Sequence, residues 1–190
     1  NDRNVSLSPV PMSPQDGWTV ARDGRVAVVR SAGYYVEWIY PDGRVISGPP
    51  NDVRRPRVRR ADKLAYMERM QRNSLRVEVS NVNGNIRTAF RRGMRDRSDE
   101  PEIDGLSWPD VLPAFQAGGL YVSPAGELWV ERYVPVGEAP AYDVFDDRGE
   151  MIGRIVLSEG RSSVAFGEGA VYLTRFDELD LQWLERYGLR

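Results

Sequence analysis

A short hairpin that recurs along the chain limits the possible folds more than any other feature of the sequence. Apolar runs rich in β-branched and aromatic residues follow turns that contain glycine. These turns are Asp23-Gly24, Asp42-Gly43, Ala125-Gly126, Arg148-Gly149 and Glu168-Gly169. Glycine reaches positive φ in tight hairpins without a steric penalty. Repetition of such hairpins predicts a mainly β protein built from stacked or radially arranged antiparallel sheets.

The alternation of apolar and polar residues predicts strands in three groups. The first group is a four-stranded meander, at residues 18–21, 25–30, 34–40 and 44–47. The second is another four-stranded meander, at residues 120–123, 127–133, 141–146 and 151–157. The third has three strands, at residues 163–166, 170–176 and 181–189.

The pattern divides the chain into four regions. Residues 1–16 form a proline-containing, extended N-terminal arm, and residues 17–50 form the first meander. Residues 51–107 interrupt the repeat as a basic insertion, and residues 108–190 contain the other two meanders. Within the insertion, the spacing of Leu64, Met67 and Met70 predicts one helix over residues 61–73.

Composition excludes several classes of chemistry. The chain has no histidine and no cysteine. Ser-His-Asp triads, thiol nucleophiles and thiolate metal sites are therefore excluded. Lys63 is the single lysine. We expect no catalytic residues, no cofactor and no metal site.

Two acidic runs are candidates for calcium binding, but neither has the ligand spacing of an EF-hand loop. They are Asp143, Asp146 and Asp147, and Asp177, Glu178 and Asp180. Both are predicted to lie where hairpins turn. Four tryptophans fall in predicted strands and are expected in the core: Trp18, Trp38, Trp129 and Trp183.

Charge is strongly segregated although the net charge is only −2. Residues 51–97 carry 14 basic and 5 acidic groups, whereas residues 98–190 carry 7 basic and 18 acidic groups. Arginine forks bind carboxylates and phosphates. The predicted partner-binding residues are Arg54, Arg55, Arg57, Arg59, Arg60, Arg69 and Arg72, with Trp108 as an interface anchor. The basic stretch further along includes Arg91, Arg92, Arg95 and Arg97.

Three interpretations of this basic region remain open. It binds an acidic protein or an anionic lipid surface, it is a solvated surface, or it pairs with the acidic half of the chain. Nucleic acid is less favoured, because few aromatic side chains are interleaved for stacking on bases.

Three phrases resemble the last blades of bacterial six-bladed β-propeller proteins of the NHL/TolB-like group. They are Gly126-Glu127-Leu128-Trp129-Val130, Tyr142-Asp143-Val144-Phe145-Asp146 and Trp183-Leu184-Glu185-Arg186-Tyr187. Residues 17–50 resemble an earlier blade. The resemblance implies propeller-like four-stranded meanders, about three of them. A partial propeller exposes strand edges and an interior face, which are pairing hazards unless another protein covers them.

These observations favour a non-catalytic interaction or scaffold subunit that docks on a larger complex, which could be membrane-bound. The alternative is a ligand-binding or hydrolytic propeller whose other blades are absent from this chain. Relatives of the resembled group are often exported, so the expected location is periplasmic. The sequence contains no apolar run long enough for a transmembrane helix. It begins at Asn1, which predicts a processed or truncated chain.

Overall fold

The computed structural model of the chain describes residues 10–73, 75–82, 85–92, 103–158, 160–177 and 181–189. Strands make up 43% and helix 8%, and the described residues form antiparallel sheets with a single helix. The predicted fold class, mainly β with one inserted helix, is confirmed.

The strands and the helix follow the predicted order along the chain. They are β1 (Gly17–Val20), β2 (Val26–Arg30), β3 (Tyr35–Ile39), β4 (Val45–Ser47), α1 (Arg60–Asn73), β5 (Leu75–Val82), β6 (Asn85–Arg92), β7 (Phe115–Val122), β8 (Leu128–Arg132), β9 (Ala141–Phe145), β10 (Met151–Val156), β11 (Arg161–Gly167), β12 (Ala170–Phe176) and β13 (Gln182–Gly188).

Contacts divide the chain into two compact units. The sheet unit comprises Ser13–Arg57 and Asp110–Arg190, and the helical unit includes Val58–Pro109. The sheet unit contains three antiparallel meanders, which we name sheet I (β1–β4), sheet II (β7–β10) and sheet III (β11–β13). The helical unit contains α1 and the hairpin of β5 and β6.

Sheet II is the middle layer of the sheet unit. One of its faces packs on sheet I through a core that includes Val29, Trp38, Leu128 and Phe145. Its other face packs on sheet III through Trp129, Tyr142, Val144, Val171 and Leu173. All five residues of β9 are therefore buried. Strand β9 needs apolar residues on both faces, unlike a strand of a sheet with one solvated face.

The first strands of the three sheets are neighbours. Strand β7 contacts both β1 and β11. From this shared side, the strands of each sheet follow one another outward in chain order: β1 to β4, β7 to β10 and β11 to β13. The stack is therefore built from one repeated unit in one orientation.

Helix α1 begins with half of a capping box. Asp62, in the first turn, accepts a hydrogen bond from the backbone N–H of Arg59 at 2.8 Å. Arg59 precedes the first helical residue, so this bond satisfies a backbone donor that the helix itself leaves unpaired. The observed start at Arg60 lies one residue before the predicted one.

One detail of the strand prediction was wrong. The start of β7 at Phe115 lies five residues before the predicted strand. Its register shifts between Phe115 and Leu120, and such a bulge breaks the alternation that sequence patterns detect. Within the basic insertion, β5 and β6 pair as a hairpin that extends to Arg92, outside the three predicted groups of strands.

The prediction that all four strand tryptophans lie in the core was also wrong. Trp38 and Trp129 are buried, whereas Trp18 is 69% and Trp183 50% exposed. Alternation along a strand separates two faces, but it does not show which face another sheet will cover.

Gly48 allows a close backbone approach between sheets I and II. A Cβ atom at this position would overlap the backbone of Gly149, in the turn between β9 and β10. The backbone N–H of Gly48 also donates to the carbonyl of Val36 at 2.9 Å. The contact is therefore between two backbones, with no flexible side chain that could move aside.

We expect Gly48→Ala to lower the free energy of unfolding by about 1–3 kcal/mol, the usual cost of forcing an extra carbon into a packed interior. Gly118→Ala is the matched control, because a Cβ there meets nothing within 4 Å. Urea titration of both variants measures the difference. Equal stabilities would contradict the close approach of sheets I and II.

Candidate functional site

A buried carboxylate joins sheets I and II. Asp143, in the centre of β9, has no exposed surface. It accepts hydrogen bonds from the Tyr34 hydroxyl at 2.7 Å, from Arg132 Nη1 at 3.4 Å and from Arg154 Nε at 2.7 Å. Tyr34 belongs to the turn before β3, so sheet I supplies one donor and sheet II the other two. The prediction that Asp143 lies in a hairpin turn was wrong, whereas Asp146 does accept turn bonds from the N–H groups of Arg148 and Glu150.

Tyr34 is held firmly in this joint. Its ring stacks on Phe115 at a centroid distance of 5.5 Å and meets Phe145 edge-on at 5.8 Å. Its φ is +46°, a left-handed conformation that is uncommon outside glycine. Asn51 holds this backbone by donating from its N–H and its side-chain amide to the Tyr34 carbonyl. Burial first, and then the charge of Asp143, raise the pKa of Tyr34 well above its usual value.

Each of the three sheets carries an arginine and an acidic residue on adjacent strands in equivalent positions. The ion pairs are Arg30–Glu37 at 2.7 Å in sheet I, Arg132–Asp143 at 3.4 Å in sheet II and Arg175–Glu185 at 3.0 Å in sheet III. In each sheet the acid lies opposite the residue two before the arginine: Val28, Val130 or Leu173.

We call the face of each sheet that carries this pair its front face, and the opposite face its back face. The back face of sheet I packs on the front face of sheet II, and the back face of sheet II packs on the front face of sheet III. The front face of sheet I and the back face of sheet III are the two ends of the stack.

Sequence analysis missed these ion pairs, although a signal was present. Arg30, Arg132 and Arg175 each lie six residues after a hairpin glycine: Gly24, Gly126 or Gly169. Superimposing the repeats on their turn glycines would have revealed the three arginines. The acidic partners are harder to find, because the loop between the second and third strands differs in length from sheet to sheet.

The front face of sheet I is exposed and apolar. Trp18 pairs with Val28 and is 69% exposed. Leu120 holds the same place in sheet II, opposite Val130, and is only 7% exposed because the back of sheet I covers it. Val20 and Val45 extend the exposed patch across the sheet. Large contiguous apolar patches mark interaction surfaces on soluble proteins.

The predicted arginine site falls in both compact units. Arg54, Arg55 and Arg57 are exposed on the segment that follows sheet I in the sheet unit. The backbone anchors this segment, because the Arg54 carbonyl accepts from Arg132 and the Pro56 carbonyl accepts from the N–H of Leu112. Arg59, Arg60, Arg69 and Arg72 belong to the helical unit. Their role in binding stays a prediction.

Trp108 is half-buried within the helical unit. Its indole N–H donates to the Ile103 carbonyl at 3.0 Å, and its ring meets Tyr66 edge-on at 5.9 Å. Lys63 lies 5.5 Å from the ring centroid. These contacts give Trp108 a packing role beside α1, and its predicted role as an interface anchor stays a prediction.

A shallow groove of about 420 Å³ lies between the turns of sheets II and III. Its lining includes Ser123, Glu127, Trp129, Ile155 and Leu189. The Ser123 hydroxyl accepts from the Glu127 N–H within its own turn. The groove is thus mainly an apolar depression where two sheets meet.

In the described part of the chain, no cluster of three or more acidic side chains could hold a metal ion. No helix in those ranges is both long and apolar enough to cross a membrane. Comparisons with family models, with curated proteins and with solved structures found no match.

We expect Tyr34→Phe to lower the free energy of unfolding by about 1–3 kcal/mol, because a buried carboxylate loses one of its donors. Tyr35→Phe, at the start of β3, is the matched control and should change it by less than about 0.5 kcal/mol. Chemical denaturation of both variants at neutral pH tests the joint. Equal effects would contradict it.

The same tyrosine should make the fold sensitive to alkali. The pKa of Tyr34 is higher in the folded chain than its unfolded value of about 10. Its contribution is therefore complete below about pH 10 and is lost as the pH rises above that value. Thermal unfolding from pH 8 to 11 should show a less steep loss of stability for Tyr34→Phe than for the native chain. Parallel curves would contradict this assignment.

Replacing Arg54, Arg55 and Arg57 with Gln should weaken binding to polyglutamate, or to vesicles containing phosphatidylglycerol, roughly tenfold at low salt. This factor corresponds to three exposed ion pairs of about 0.5 kcal/mol each. Added salt should shrink the difference. The control replaces three exposed turn arginines, Arg22, Arg44 and Arg148. Equal losses in the two triple variants would show that net charge matters and not this segment.

Proposed function

We propose that this chain is a non-catalytic interaction subunit, a β-sheet scaffold that docks on a larger protein assembly through the front face of sheet I. The main support for this proposal is a difference in exposure between equivalent positions of two sheets. Trp18 in sheet I is 69% exposed, whereas Leu120 in sheet II is 7% exposed. Sheets II and III receive another sheet on the same face, so the front of sheet I has the composition of a surface that is made to be covered.

The chemistry of the front face suggests how a partner would be recognised. Trp18, Val20 and Val45 supply apolar area, and tryptophan is enriched among the residues that dominate binding energies. Beside them, the Arg30–Glu37 pair is extended by Asp16, which accepts from Arg30 at 3.0 Å. A partner that removes this network from water must satisfy it with polar groups of its own.

The buried Asp143 joint supports a structural rather than a catalytic reading of the polar residues. In the joint, the carboxylate is fully buried, with three donors directed at it. A group in that environment holds two sheets together and has no access to a substrate. The exposed arginines of residues 54–57 offer a second contact, with an acidic protein surface or anionic headgroups. A partial propeller, a periplasmic location and a membrane-bound complex are further parts of this proposal.

A photo-crosslinking amino acid placed at Trp18 or Val20 tests the proposal in cells that produce the chain naturally. We expect a discrete crosslinked protein band at both positions. The matched control position is Arg22, an exposed turn residue outside the front face. Crosslinks that are no stronger at Trp18 and Val20 than at Arg22 would overturn the proposal.

A further inference from the structure

The two ends of the stack of sheets are complementary halves of an interface that the chain already makes twice. Inside the stack, the back of one sheet covers the front of the next. At the ends, the front face of sheet I and the back face of sheet III lie exposed. The chain itself therefore carries a surface of the kind that covers a front face.

On the back face of sheet III, too, a residue is exposed at a position that is buried in the other two sheets. Across the central strand pair, the back-face partners are Val29 and Val36 in sheet I, Glu131 and Tyr142 in sheet II, and Thr174 and Leu184 in sheet III. Val36 and Tyr142 have no exposed surface, whereas Leu184 is 71% exposed. The position that Leu184 holds is therefore covered by a neighbouring sheet in sheets I and II and uncovered in sheet III.

Charge points to the same pairing. The next back-face position holds Trp38 in sheet I, Val144 in sheet II and Arg186 in sheet III. Arg186 is exposed. The front face of sheet I carries Asp16 and Glu37, both paired with Arg30, so this cluster has one net negative charge beside the apolar patch. An apolar contact edged by opposite charges favours one orientation of association.

We infer that the front face of sheet I binds the back face of sheet III in a second copy of this chain. The inference rests on the proposed function, since it names the partner of the front face. The contact is heterologous: one copy offers Trp18, Val20 and Val45, and the other offers Tyr172, Leu184 and Arg186. It repeats between two chains the packing that sheets I, II and III make within one.

Two single substitutions test the two halves of this interface one at a time. Trp18→Arg blocks the front face and Leu184→Arg blocks the back face. Both side chains are mostly exposed, so both variants should keep the native circular dichroism spectrum and unfolding temperature. Sedimentation velocity should show self-association of the native chain. Each variant alone should have a dissociation constant raised at least about thirtyfold, which is the effect of losing one residue that dominates a binding energy.

Mixing the two variants gives the decisive readout. The Trp18→Arg chain keeps an intact back face, and the Leu184→Arg chain keeps an intact front face. A heterologous contact therefore predicts a one-to-one complex that grows no further, with an affinity near that of the native contact. Arg148→Glu is the control substitution, in an exposed turn outside both faces, and should leave self-association unchanged.

Three outcomes would overturn the inference: a native chain that is monomeric at all concentrations, self-association that Leu184→Arg does not weaken, or variants that fail to complement each other. The second would indicate a front-to-front dimer. The proposed function has a separate test, the crosslinking at Trp18 and Val20. A monomeric native chain that still crosslinks through Trp18 to a different protein would remove this inference and leave the docking role in place.

Discussion

The Asp143 carboxylate is the interaction on which the stacking of sheets I and II most depends. A charge taken wholly out of water is tolerated only when it is paired and hydrogen-bonded. Here the donors come from two arginines of sheet II and one tyrosine of sheet I. Because directional bonds, unlike apolar contacts, fix a relative position, this carboxylate sets the register between the two sheets.

The same ion pair has different surroundings in each sheet. In sheet II it is buried and Tyr34 completes it. In sheet III, Glu185 also receives hydrogen bonds from Arg161 and Tyr187, which lower its pKa, with the Tyr187 bond contributing most. In sheet I, Asp16 joins the pair, and the hydrogen bonds of Arg30 to Asp16 and Glu37 raise the pKa of that arginine. One repeated motif thus serves as an internal joint and, at the end of the stack, as an exposed polar network.

Stacked repeats explain why the proposed binding surfaces are at the ends. Each repeat buries its faces against its neighbours, so the terminal repeats carry surfaces that the others cover. Many repeat proteins have polar terminal caps, which prevent association. This chain instead places the largely exposed Trp18 at one end and the largely exposed Leu184 at the other.

The sequence by itself determined the fold class, the helix and nearly all strand positions, because turn glycines and apolar alternation act locally. It also contained the arginine six residues after the glycine that turns the chain between the first and second strands of each sheet, at Gly24, Gly126 and Gly169. Tertiary structure alone decided that Trp18 is exposed while Trp38 is buried, and that Asp143, inside a predicted strand, is fully buried. Alternation assigns a residue to a face, but burial depends on which sheets pack together, and those contacts join residues about 110 positions apart, as Tyr34 and Asp143 do.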